Sequence, residues 1–173
     1  MHKLKNNSKT WIEVKPVHCH QRFLKNTLVS KIWCLSEDKI FAETAFKFIP
    51  QDLPFFFDHH IDHLPGMLTV NAMRQGILAL AHLLYGIPMD FIALLASMNI
   101  KSFNYGELGT LTTAKSKLLE CTRNKHKITL ILDGIMMQGD YPIMQATGKL
   151  IMLSPSLARK IRHKKTKDWN NNW

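Results

Sequence analysis

The densest chemistry in the chain lies between positions 55 and 75, FFFDHHIDHLPGMLTVNAMRQ. Asp58, His59, His60, Asp62 and His63 crowd six positions. Imidazoles beside carboxylates can supply a general base, a hydrogen-bond donor or metal ligands. Pro65-Gly66 then opens a long apolar stretch. A glycine there lets a ligand approach the backbone, and the unpaired amides of a first helical turn can bind a carbonyl oxygen or oxyanion. Farther on, Asn71, Gln75 and His82 are spaced by four and seven and fall within about 40° on a helical wheel. Arg74 stands one step off that line and is the only charged residue of 67–85. A buried guanidinium needs a partner or an anionic ligand. Against these readings stand plainer ones. A buried polar line can be satisfied inside a core or a subunit interface, and a histidine-rich loop can be surface without a task.

Zinc is the competing chemistry. His59 and His63 are four apart, as on a metal-binding helix. Pro65 follows at once, no Glu lies inside the spacing, and no distant third ligand is evident. His18-Cys19-His20 is a weaker pair still. Neither a metal nor a cofactor is expected.

The elements that must position these groups follow from period and punctuation. Residues 27–34 and 39–48 are rich in β-branched and aromatic side chains, with a turn at 36–38 between them. Residues 67–85 are apolar nearly all round, which predicts a helix buried on most sides, ended by Gly86-Ile87-Pro88. Strands are then expected over 91–101, 110–122, 127–138 and 141–153, with Gly139-Asp140 as a tight turn between the last two. A helix apolar all round must be wrapped, and an antiparallel sheet curled around it does so with few residues. The expected class is α+β with one long central helix, the hotdog arrangement. Residues 1–10 are expected as a flexible basic N-terminus, 11–158 as the domain, and 159–173 as a basic flexible tail.

The bulk numbers agree with one domain. The chain has 173 residues, 46% hydrophobic and 21% charged, with 23 Lys+Arg against 13 Asp+Glu for a formal +10. A basic surface attracts anionic partners, but the basic ends lack interleaved aromatics beyond Trp169 and Trp173, and no recognition motif is present, so nucleic acid is not an expected partner. The nearest thing to a membrane span, 76–100, is broken by Pro88 and Asp90, so none is expected. Three cysteines, Cys19, Cys34 and Cys121, are a poor disulfide framework, and 1–10 lacks an apolar signal region. A reducing cytoplasm is the expected compartment.

Asp58-His59-His60-Ile61-Asp62-His63-Leu64-Pro65-Gly66-Met67 resembles the Asp-His…Asp-His…Pro-Gly stretch of the A-factor biosynthesis hotdog domain. Asn71-Ala72-Met73-Arg74-Gln75 is similar to the Glu-Ala-x-Arg-Gln helix start that follows it there. Val17-His18, residues 46–57 and residues 155–162 carry weaker likeness. The resemblance implies a substrate class, an acyl or β-ketoacyl chain held as a thioester on acyl carrier protein or coenzyme A. Members join a β-ketoacyl group to the hydroxyl of dihydroxyacetone phosphate, toward butyrolactone signals. They usually carry two hotdog repeats, so a chain with room for one implies a homodimer. More distantly, Pro-Gly at the head of the helix is similar to hotdog dehydratases, in which a loop histidine and a helix acid meet between two subunits.

On this reading His59 or His63 takes the acceptor's proton, oriented by Asp58 or Asp62. The amides near Gly66 and Met67 polarise the thioester carbonyl, Asn71 positions the acyl group, and Arg74 with Gln75 holds an anionic part of the substrate. The helix and sheet enclose an acyl tunnel. Asn71 departs from the family's helix acid, and an amide cannot act as a general base, which argues against a dehydratase. A thioesterase, with water as acceptor, and a non-catalytic acyl-chain binder or scaffold are the rival readings.

Overall fold

The computed structural model describes residues 10–52 and 61–170. Seven strands form one sheet in which every pairing is antiparallel. They are β1 (Ile12–Glu13), β2 (Val29–Cys34), β3 (Phe41–Phe46), β4 (Ile92–Ser102), β5 (Thr112–Arg123), β6 (Lys127–Gln138) and β7 (Tyr141–Leu153). Their order across the sheet is β1-β2-β3-β5-β6-β7-β4. Helix α1 (Gly66–Leu83) connects β3 to β4, and α2 (Pro155–Asn170) follows β7. Three 3-10 turns, at Pro16–Cys19, Leu24–Asn26 and Pro50–Asp52, and the short β1 were not foreseen. From residue 159 to Asn170, where a tail was expected, the backbone is helical.

The apolar periods explain the packing. In β6, Ile128, Leu130, Leu132 and Met136 face inward, and in β7 Met144, Ala146, Leu150 and Met152 do the same. They meet α1, whose Leu68, Ala72, Leu78, Ala79 and Leu80 are fully buried. Each buried leucine contributes about 1.5–3 kcal/mol. The helix lies close on the sheet because Gly134 and Gly148 sit beneath it: a Cβ there would come within 2.9 Å of Met73 Cε and Ile77 Cδ1. Its other side is covered by the segment before β2, through Val14, Cys19 and Leu28. Sheet and N-terminal segment therefore wrap the helix together. Gly86, at φ 62°, ends it, with the Ile87 N–H reaching back to the Ala81 carbonyl.

Two features bear on function. The void between α1 and the sheet, bordered by Thr44, Phe46, Met73 and Gly134, is about 10 Å³, room for about one water. Among the described residues, helix and sheet are packed too closely at this point to hold an acyl chain between them. And β4 is an edge strand, paired among the described residues only to β7, with Leu94, Leu95 and Ile100 exposed along it. No helix among the described residues is long and apolar enough to cross a membrane.

Candidate functional site

Asp58, His59 and His60 lie outside the described residues. His63 is described and has a defined setting. Its Nδ1–H donates to Asp62 Oδ1 at 2.9 Å, and in the tautomer carrying that proton Nε2 is the acceptor nitrogen. The His63 side chain is 40% exposed and that of Asp62 93%, so the pairing orients the ring more than it stabilises the fold. His63 forms an isolated antiparallel bridge with Glu107, and the Leu64 N–H donates to the Gly106 carbonyl at 2.7 Å. The ring of Tyr105 stands 5.0 Å from that of His63.

His63, Leu64, Tyr105 and Gly106 border a cleft of about 500 Å³, within the range of small-molecule sites. His63, Gly66 and Thr69 line one side, and Ser102, Phe103, Tyr105, Ile143 and Met144 line the other. α1 begins at Gly66 with no side-chain cap from Pro65, so its first amides have no acceptor within the helix. Gly66 and Met67 are exposed there. The cleft thus joins an imidazole acceptor nitrogen, backbone donors and an apolar wall. The connection 103–107, with Tyr105 and Gly106, escaped sequence reasoning; Asn-x-Gly between two strands signals a turn and nothing more.

Asn71 and Arg74 do not border this cleft. Thr69 and Asn71 are two residues apart, about 200° around the helix, so they point to nearly opposite sides. On that other side Arg74 Nε and Nη2 both donate to Asn71 Oδ1, at 3.2 and 3.1 Å. Both residues are half-buried. Burial lowers the pKa of Arg74 from its ordinary value, and the nearby Cys19 opposes that shift. Cys19 itself is pushed up to about 12 by burial, against the pull of Arg74. The guanidinium therefore has a neutral amide for its hydrogen-bond partner.

Gln75 is a correction. It is fully buried, its Oε1 accepts the Leu28 N–H at 2.8 Å, and its Nε2 donates to the Asn26 carbonyl at 2.9 Å. Fully buried and tied at both ends of the amide to the segment before β2, Gln75 serves the packing of that segment on α1. His82 is likewise structural. Its Nδ1–H donates to the Ile87 carbonyl at 2.8 Å, so in the neutral ring Nε2 accepts from His20 Nε2–H at 2.9 Å. Burial, then His82, then Arg74 lower the pKa of His20. Burial, then His82, then Lys15 lower that of His18. Among the described residues no group of three His, Cys, Asp or Glu side chains is placed to hold a metal.

Comparisons with known proteins bear on the fold and lineage. The family model described as the A-factor biosynthesis hotdog domain matches residues 2–154. Among solved structures, a phenylacetic acid degradation-related protein of Ralstonia eutropha aligns at 14% identity over 69% of this chain and 82% of its own, with a TM-score of 0.50. A thioesterase enzyme of Staphylococcus aureus aligns at 17% identity over 70% and 93%, with a TM-score of 0.48. A protein of Helicobacter felis aligns at 14% identity over 77% and 93%, with a TM-score of 0.49. No curated protein matches by sequence.

Proposed function

Because this chain belongs to the A-factor biosynthesis hotdog domain family, we propose that it transfers a β-ketoacyl group from a carrier thioester to the hydroxyl of a small acceptor such as dihydroxyacetone phosphate. The observation that carries the reading is His63, held through Nδ1 by Asp62 at the rim of a cleft of about 500 Å³ that opens on the first turn of α1. His63 Nε2 accepts the acceptor's proton as its oxygen attacks the thioester carbonyl. The amides of Gly66 and Met67 stabilise the tetrahedral oxyanion. Collapse breaks the C–S bond, and the leaving thiolate takes the proton from His63. His59, with Asp58, is the alternative base. The apolar cleft wall at Phe103, Ile143 and Met144 takes the acyl chain.

The acceptor's phosphate needs a cation, and among the described residues no Lys or Arg borders the cleft. Arg74, steadied by Asn71, is the candidate, but it lies on the opposite side of α1. A homodimer resolves this if the Arg74 side of one chain meets the cleft of the other. The edge of β4, unpaired among the described residues, and its exposed Leu94, Leu95 and Ile100 support pairing of two copies there. The cleft's described lining, with no Lys or Arg in it, equally suits a second reading, a thioesterase with water as the acceptor.

The deciding experiment incubates the protein with a β-ketoacyl thioester, with and without dihydroxyacetone phosphate, and follows products by mass spectrometry. Acyl transfer yields an ester only with the acceptor, and His63→Ala lowers its rate at least about a hundredfold. Free acid without acceptor identifies the thioesterase. Binding without turnover in either arm identifies an acyl-chain binder and overturns both.

A further inference from the structure

The inward-facing positions of β6 are apolar or glycine from Ile128 through Met136 and then end in Gln138, 7% exposed. A leucine would continue the core there. A buried primary amide is tolerated only when its donors and acceptor are satisfied, and the bonds of Gln138 all run to one place. Its Oε1 accepts the Glu107 N–H at 2.8 Å, and its Nε2 donates to the Glu107 carbonyl at 2.8 Å and to Thr112 Oγ1 at 3.0 Å. The side chain thus binds both backbone groups of Glu107 as a neighbouring strand would.

Glu107 is the residue that bridges to His63, Gly106 accepts from Leu64, and Tyr105 packs on the His63 ring. The 103–107 connection is therefore held from behind by Gln138 and holds the histidine in front. Asn104 adds a second anchor, its Nδ2 donating to the Pro142 carbonyl at 2.8 Å. Gly106 keeps the connection close: a Cβ there would lie 2.9 Å from Leu64 Cδ1 and 3.0 Å from Ile143 Cδ1. We infer that Gln138 is a positioning residue for His63, acting through the backbone of Glu107 and Gly106 to fix the imidazole at the cleft. The inference rests on the reading of His63 as the base, but the placement itself can be tested without turnover.

The test compares the full-length protein with Gln138→Leu, and with Gln138→Glu, which keeps the shape and loses both donated bonds. The readouts are the His63 imidazole resonances and the nuclear Overhauser contact between the rings of His63 and Tyr105, taken alongside acyl-thioester turnover. Thr112→Val, which removes one bond of Gln138 together with the Thr112 bond to the Thr110 carbonyl and spares both to Glu107, is the control. The expected result in either folded variant is a shifted or broadened His63 signal and a lost His63–Tyr105 contact, both retained in Thr112→Val. The accompanying kinetic result is a fall in kcat of about ten- to a hundredfold with KM little changed. If Gln138→Leu does not fold, Gln138→Glu carries the comparison. A folded variant with unmoved His63 resonances and an intact contact overturns the inference. A wild-type protein with no turnover, whose variants nevertheless lose the contact, leaves the positioning role standing and removes only the proposed chemistry.

Discussion

Four nitrogen bases, His18, His20, His82 and Arg74, gather where the segment before β2 crosses α1, and burial lowers the pKa of both His18 and His20. The groups facing them are Lys15, Cys19 and one another; no carboxylate is among the causes of these shifts. A histidine whose folded pKa lies below its ordinary 6.5 binds fewer protons folded than unfolded, so its contribution to stability is present above about 6.5 and lost as pH falls through the folded value. Urea unfolding midpoints are expected to be level near pH 7.5 and to drop on acidification below 6.5. His20→Asn, which suits the left-handed φ of 54° at that position, is expected to drop less. An identical drop in the variant sinks the attribution. In the sequence, His18-Cys19-His20 showed only as a possible metal pair; its facing of His82 depends on a 3-10 turn that no periodicity announces.

At the scale of elements, α1 was legible because its apolar residues run all round it, and β6 and β7 because their inward positions alternate. The partition of its polar residues was less legible. Asn71, Gln75 and His82 share a stripe, yet the stripe divides along its length: the N-terminal part is half-exposed, while the C-terminal part is roofed by residues 14–28. That roof is what committed Gln75 to Asn26 and Leu28. Gln75→Leu removes both bonds and leaves the buried Leu28 amide without an acceptor, so chemical denaturation is expected to show a loss of about 2–3 kcal/mol. A loss under about 0.5 kcal/mol would mean the roof is held by its apolar contacts alone. Gln138 illustrates the opposite failure of sequence reading. Its partner Glu107 is remote in the chain, and a glutamine at a strand end gives no sign of which backbone it will grip.

For the whole molecule, the central question is whether the two halves of the proposed site meet across a dimer. The motif running from Asp58 to Gln75 reads as a single site in the sequence, but the helix turns its parts to opposite sides. Complementation separates the possibilities. His63→Ala and Arg74→Ala proteins are each expected to be inactive in acyl transfer; mixed and allowed to exchange subunits, they should recover about a quarter of wild-type activity, since half the dimers carry one intact site of two. No recovery in a mixture shown to have exchanged would place both residues in one chain's site. The exposure of Leu94, Leu95 and Ile100 on β4 was not legible in the sequence, because an apolar strand pattern does not say whether the strand lies at a sheet edge.

The core between α1 and the sheet leaves room for about one water, while the cleft wall at Phe103, Ile143 and Met144 lies at the margin of the fold. On the proposed reading, the length of an acyl chain is set by residues at that margin and not by the side chains that hold helix to sheet. Lineages built on such a plan can drift from one substrate length to another without renegotiating their folding free energy, since selection for specificity and selection for stability act on largely separate positions.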